Sequence, residues 1–459
     1  MARVSNGDCM GHHRNMRDEA NEILLWKNPT LKRLGILILI PSVLLSYFLG
    51  AQLYWYPVVV TLLAIPLFTV YCAMYNLWYA NHKWSGKESK LDQFVEFHDE
   101  VVAKKYKGKF MPIRDFYELF ADRKLSLRCD TLEALEHREE FLTYQLGWWH
   151  MHFFLCKFVP DMLCHFRSQD KDQVCDHYNR GNDFYNHFLG STMVYTSGIM
   201  QSREDSLETM QKTKMEGVCK AICLKEGEKH LDIGCGWGTL VNYAAENFKS
   251  KSLGITIAQE QIDWGRGVSE EKGTQDRAKF LCMDYRDIPS EKYDKITCLE
   301  MSEHVGVKLY SRFMEQVYDL LDDDGVFFLQ IAGIRRAWQW EDLCWAFFMD
   351  TYIFPGADAS LPLTFPIAQL EAAGFEVQSV KTVGVHYSET IKRWYRNWRK
   401  DGAEEEISTK YGGRLYRIWE IFLAWSTIIA RQGNSTCYQI VAHKNRNRFD
   451  RKRFIQGFN

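Results

Sequence analysis

One short run constrains this chain more than any other: His230-Leu231-Asp232-Ile233-Gly234-Cys235-Gly236-Trp237-Gly238. Apolar Leu231 and Ile233 lead into three alternating glycines, and residues 239–248 then read as a helix. A strand, a tight turn and a helix start make the joint of an α/β domain. Glycine lets the backbone approach a ligand closely, and the helix N-terminus offers unpaired N–H groups to a negative group. The spacing is Gly-x-Gly-x-Gly, not the Gly-x-Gly-x-x-Gly of dinucleotide folds. Asp232, two residues before the first glycine, can meet a cationic amine. S-adenosylmethionine carries a carboxylate and an ammonium at one end and answers both demands. An ordinary βα turn of another α/β protein is the plainer alternative.

The rest of the C-terminal half supports a sheet. Strands are expected at 229–233, 252–257, 278–282, 295–300, 325–331, 375–383 and 436–443, with helical stretches between the first five. That alternation predicts a mostly parallel sheet covered on both faces, with ligands at the carboxyl ends of its strands. The aromatic-rich insertion at 332–373 reads as a lid or an acyl-chain wall.

With 459 residues the chain can hold two or three domains, and a formal net charge of −2 argues against a nucleic-acid protein. Its 14% aromatic content suits an apolar substrate or a membrane surface. Thirteen cysteines without a CxxC pair read as reduced thiols, not a secreted disulfide framework or a metal site.

Two apolar runs, 34–50 and from Leu53 to about Tyr79, are each long enough to span a bilayer. The turn between them is too short for a domain, so they predict a transmembrane helical hairpin. Lys27, Lys32 and Arg33 precede it and His82, Lys83, Lys87 and Lys90 follow it, which puts both ends in the cytosol. A buried soluble hairpin is the alternative. The expected organisation is a polar tail (1–30), the hairpin (31–80), a helical connecting and lipid-facing segment (81–170), the catalytic domain (171–443) and a basic tail (444–459). The aromatic stretch 145–166 reads equally as an interfacial helix, a tunnel wall or core. The tail's Arg446, Arg448, Arg451, Lys452 and Arg453 could meet anionic headgroups or simply be solvated.

Four stretches converge on the strand ends. The first is the Asp232 turn. The second, Thr256-Ile257-Ala258-Gln259-Glu260-Gln261, lies where a ribose would, with Thr256 and Gln261 the better partners. In the third, Asp284 could accept from an adenine amino group while Tyr285 packs on the ring. The fourth, Glu300-Met301-Ser302-Glu303-His304, sets a carboxylate and an imidazole beside the expected sulfonium; Glu303 could also be no more than a helix N-terminal charge. Ahead of them, His177 to Tyr185 and Tyr195-Thr196-Ser197-Gly198 suggest a flap over the cofactor.

The stretches HYNRGNDFYNHFLGSTMVYTSGIM, LDIGCGWG, MSEHVG and Trp394-Tyr395 resemble the cyclopropane-fatty-acid synthase family, over about residues 176–444. LQIAGIRRAWQWEDL, YIFPGADAS, GVHYSET and FLAWSTIIARQG resemble its sphingolipid C-9 methyltransferase branch, which also carries two N-terminal membrane helices. The resemblance implies a class I (Rossmann-like) S-adenosylmethionine-dependent methyltransferase domain. Its substrate would be a membrane lipid, a ceramide or glucosylceramide, and its setting the endoplasmic reticulum or Golgi.

Carried over by position, the resemblance implies cofactor contacts at Tyr195, Thr196, His230 to Gly238, Thr256 to Gln261, Asp284 and Tyr285. Glu303 and Tyr395 match positions that help hold bicarbonate in the cyclopropane synthases. Ser197 stands where those enzymes have a cysteine and Gln330 where they have a histidine, which puts the bicarbonate in question. The expected chemistry adds a methyl group to C-9 of a Δ8 sphingoid base. Glu303 would act as base or negative field, with Tyr395 and Gln330 positioning it. A cyclopropane synthase acting on phospholipid chains, an inactive membrane scaffold and a small-molecule or protein methyltransferase are the competing readings.

Overall fold

The computed structural model describes residues 83–153, 180–336, 339–355 and 361–455, with Ile40, Val43, Leu44, Tyr47, Phe48, Met74 and Cys156. The expected hairpin lies almost wholly outside the described residues. Among the described residues, no helix is long and apolar enough to cross a membrane.

Seven strands form the central sheet: β1 (Lys229–Ile233), β2 (Lys251–Thr256), β3 (Ala278–Cys282), β4 (Tyr293–Leu299), β5 (Leu321–Ile334), β6 (Phe375–Thr382) and β7 (Ser435–Lys444). Their order is β6-β7-β5-β4-β1-β2-β3, with β7 antiparallel to both neighbours and the remaining pairs parallel. All seven strands expected from the sequence are present. The chain reverses its direction of travel across the sheet between β1 and β4, and a crevice opens there above the strand ends. β1 is buried from His230 to Ile233, as a strand covered on both faces must be.

Ten helices matter for the site: α1 (Ile113–Ala121), α2 (Thr131–Glu136), α3 (Asn182–Leu189), α4 (Leu207–Ala221), α5 (Thr239–Asn247), α6 (Gln259–Glu271), α7 (Tyr310–Leu320), α8 (Trp340–Phe348), α9 (Gly384–Trp398) and α10 (Gly413–Gln432). Helix α10 is buried from Ile418 through Ala430, so it packs on every side. Around it stands an aromatic core that joins α1, α3, α8 and α9 through Phe116, Phe184, Trp345, Trp394, Trp398, Trp419 and Trp425.

That core extends into the expected connecting segment. Leu91, Phe141 and Leu142 are fully buried in the same cluster as Trp419, so residues 83–144 are part of the catalytic body. Beyond them, Trp149 and Phe153 pack against Arg114 and Phe347, whereas Trp148 is 82% exposed. The start of the basic tail is clasped to the sheet. Arg451 pairs with Glu376 on β6, and Lys444 and Arg446 reach Asp323 at 3.2 and 3.3 Å. The insertion forms α8, a π-helical turn at Met349–Ile353 and a helix at Thr364–Ala372, and its first two elements wall the site described next.

Candidate active site

A cavity of about 160 Å3 opens at the ends of β1, β2 and β4. Its lining includes Tyr195, Thr196, Asp232, Ile233, Gly234, Cys235, Gly236, Trp237, Thr256, Ile257, Gln261, Asp284 and Tyr285, all expected from the sequence. Gly236 has φ +53°, and a Cβ there would meet nothing within 4 Å, so its bare backbone borders open space. Trp237 donates to Asn182 at 2.7 Å and packs on Tyr185, so α3 sits against the glycine turn.

Six expected contacts do not line this cavity. Leu231 is core, and Ala258, Gln259 and Glu260 begin α6 away from the lining. Gly238 caps α5 at φ +74°; a Cβ there would stand 2.3 Å from Phe280, so this glycine serves helix–sheet packing. His230 is fully buried between Ser252 and Thr297, and burial depresses its pKa to about 3, so it is neutral. The Thr297 hydroxyl donates to Asp232 Oδ1 at 2.6 Å and therefore accepts from His230 Nε2. His230 orients Asp232 through that hydroxyl.

Burial raises the Asp232 carboxyl to about 6 against the opposing charge of Lys214. Thr256 donates to Gln261 Oε1 at 2.9 Å, which leaves the Gln261 NH2 as donor to a bound hydroxyl. Three nitrogens of Arg286 hold the Asp284 carboxylate at 2.7–2.9 Å. A buried acid beside an open glycine backbone, a polar Thr256–Gln261 pair and a flanking tyrosine together fit S-adenosylmethionine.

A second cavity, about 210 Å3, lies alongside. Trp345, Ala346, Met349, Phe354, Ile391, Trp394, Phe422 and Ile429 make it largely apolar, and Glu303 lines it. Among the described residues, Tyr195, Glu300 and His304 line both cavities. Apolar walls exclude water and suit an alkyl chain. Burial lowers the His304 pKa to about 4.

The fourth stretch is arranged differently from the expectation. Glu303 accepts from the Ala332 N–H at 2.7 Å. Gln330 donates to Glu300 Oε1 at 2.6 Å, and Ser197 sits 3.4 Å from the same amide nitrogen. Gln330 and Ser197 are fully buried and line neither cavity, so they stand behind Glu300 rather than beside Glu303.

Tyr395 is also displaced. Its hydroxyl donates to Asp130 at 2.8 Å and accepts from Leu132 N–H, at the start of α2 and outside both cavities. Tyr387, which donates to Glu300 Oε2 at 2.8 Å, is the cavity tyrosine of α9. The residues matched to a bicarbonate site, Glu303 and Tyr395, are therefore not brought together, and two carboxylates, half-buried Glu300 and buried Glu303, line the second cavity.

Sequence reasoning passed over three residues. Lys214 is a lone lysine in the buried stripe of α4, and burial lowers its pKa to about 8 despite Glu300. Tyr387 begins the stripe Tyr387, Ile391, Trp394 on α9. Glu300 has φ +56°, a left-handed conformation that costs a non-glycine residue roughly 1–2 kcal/mol. Such strain is retained where a site needs it.

The model of the mycolic acid cyclopropane synthetase family matches residues 165–440. A sphingolipid C9-methyltransferase from Komagataella phaffii is 46% identical over 408 residues, 86% of this chain and 83% of its own. Sphingolipid C9-methyltransferase A from Emericella nidulans is 48% identical over 383 residues, 82% and 73% of the two chains. The structure of the cyclopropane synthase MmaA2 from Mycobacterium tuberculosis superposes with a TM-score of 0.57 at 22% identity, covering 60% of this chain and 98% of that one. With the sheet order, the two adjoining cavities and these likenesses together, the chain belongs to the mycolic acid cyclopropane synthetase family, in its sphingolipid C9-methyltransferase group.

Proposed function

We propose that this chain methylates C-9 of the Δ8-unsaturated sphingoid base of ceramide or glucosylceramide, with S-adenosylmethionine as donor. The observation that carries the reading is the seam between the two cavities, where a methyl donor and a lipid chain can meet out of water. S-adenosylmethionine, when bound, supplies an electrophilic methyl group.

The chain's own residues set the conditions for transfer. Asp232, the glycine turn, Gln261 and Tyr285 hold and orient the donor. An isolated alkene needs no deprotonation to attack, so the protein must align it and keep water from the cationic intermediate. Trp345, Phe354, Trp394 and Phe422 form the dry wall. Their ring faces, with Glu303, favour positive charge as it develops on the alkyl chain.

A lipid of this kind stays in its bilayer, and the apolar runs at 34–50 and from 53 to about 79 fit a hairpin that keeps the enzyme beside it. Tyr47, Phe48 and Met74, from these runs, are 66–79% exposed. In this reading both ends of the hairpin and the catalytic body face the cytosol, at the endoplasmic reticulum or Golgi.

The test is expression in a host that makes Δ8-unsaturated ceramides without the methyl branch, followed by double-bond-resolved lipid mass spectrometry. A 9-methyl alkene in the ceramide fraction is expected. A saturated ring in phospholipid, or no added mass, overturns the reading.

A further inference from the structure

We infer that Glu300 is the base that removes the C-9 proton, and that its carboxylate directs the outcome to a branched alkene rather than a ring. The inference rests on the methylation reading above. In that reaction the S–CH3 bond breaks with its electron pair left on sulfur, and the alkene π pair bonds the methyl to C-9. C-8 is left cationic. The C–H bond at C-9 then breaks, its electrons re-form the C-8/C-9 double bond, and the proton passes to a Glu300 oxygen, later to solvent.

The carbon that receives the methyl is also the carbon that loses the proton. Its base must therefore stand at the seam of the two cavities. Of the three residues that line both, the Tyr195 phenol is a poor proton acceptor, and His304, its pKa lowered to about 4, holds a proton weakly. Glu300 remains. Glu303 lines the lipid cavity alone of the two.

The surroundings of Glu300 are built to hold a carboxylate. Gln330 from β5 and Tyr387 from α9 donate one hydrogen bond to each oxygen, and Cys437 Sγ from β7 lies 3.6 Å from Oε1. Gln330 faces Gln439 across the β5–β7 register, and Gln439 donates to Gln330 Oε1 at 2.9 Å. That contact fixes the Gln330 amide with its NH2 toward Glu300. A carboxylate has about four lone-pair directions, so these three donors leave room for an incoming proton. Burial raises the proton affinity of Glu300, and Lys214, Gln330 and Tyr387 restrain the rise. A raised proton affinity suits a group that accepts a proton from a carbocation.

The test uses the full chain in its membrane with Glu300→Gln and Glu300→Gly. Glycine is at ease at φ +56°, so Glu300→Gly is free of the backbone strain while vacating the carboxylate's space, and Glu300→Gln keeps the side chain's bulk. Both variants should bind S-adenosylhomocysteine about as well as wild type in calorimetry and lose at least about 100-fold in turnover. Formate should restore Glu300→Gly by about tenfold or more and leave Glu300→Gln unchanged. Residual product should show a scattered double-bond position.

Glu300→Gln that keeps more than about a tenth of wild-type turnover overturns the assignment. So does loss of S-adenosylhomocysteine binding in step with turnover, which would make the role structural. A wild-type chain that leaves Δ8 ceramides unmethylated sinks the methylation reading instead.

Discussion

Replacing Arg138 by Met should destabilise the protein severely, and the structure sets the size of the effect. Arg138 is 2% exposed, in the turn after α2, and grips Glu341 of α8 through Nε and Nη2 at 2.6 and 3.1 Å. It also donates to Leu135 O and to Gln432 at the end of α10. Burial alone would raise the Glu341 pKa, but the Arg138 charge and its hydrogen bonds pull it below the usual carboxylate range. Methionine keeps much of the side chain's bulk but strands that carboxylate with the Trp425 N–H at 3.2 Å. Orphaning one partner of a buried pair costs about 3–5 kcal/mol, a fall of roughly 4–6 °C in Tm for a body of this size. Arg138→Met with Glu341→Leu should regain most of the loss, since apolar replacement of both partners is near neutral. Thermal unfolding followed by tryptophan fluorescence reads both variants. Because α8 carries Trp345 and Ala346 into the lipid cavity, the single variant should also lose turnover below its Tm. A single variant within about 1 kcal/mol of wild type, or a double variant no better than the single, refutes the argument.

Three further outcomes follow from the site. Gly238→Ala forces a Cβ 2.3 Å from Phe280 and should lower Tm by several degrees, whereas Gly236→Ala has open space around it and should weaken S-adenosylhomocysteine binding with little change in Tm. Burial lifts Asp232 to about 6, so its carboxyl is neutral below that pH and ionised above it; affinity for the amino group of S-adenosylhomocysteine should fall as pH drops through about 6, by at most about tenfold per unit, and Asp232→Asn should flatten the titration. Tyr387→Phe removes a donor from Glu300 and should cut turnover by about tenfold, while Tyr395→Phe loosens the start of α2 by about 1 kcal/mol and should leave turnover per folded molecule unchanged. Equal kinetic effects of the two tyrosine variants would contradict their placement.

The parts of this site that could be read from sequence were local ones. A strand, three glycines and a helix start within one short run define the donor cavity, because backbone conformation there depends on neighbours in the chain. The two tyrosines of α9 show where that stops. Tyr387, Ile391 and Trp394 share one face at helical spacing, while Tyr395 stands about 100° round the helix from Trp394. Trp394 and Tyr395 adjoin in sequence, but the phase of the stripe decides which tyrosine meets the cavity. Glu300 and Glu303 are three residues apart, and only a left-handed turn at Glu300 puts the first at the seam. The clasp of Arg451 on Glu376 spans 75 residues and has no local signature. The shared core of residues 83–144 with α10 likewise depends on contacts hundreds of positions apart.

Methionine with a deuterated methyl group, fed to cells that express the chain and make Δ8-unsaturated ceramides, probes the central chemistry most directly. A proton lost from C-9 leaves all three deuterons in the new branch, and the account predicts a ceramide that carries a CD3 group at that carbon. Two deuterons in the product, or a label confined to phospholipid, would show that the proton leaves the methyl group or that another lipid is the substrate.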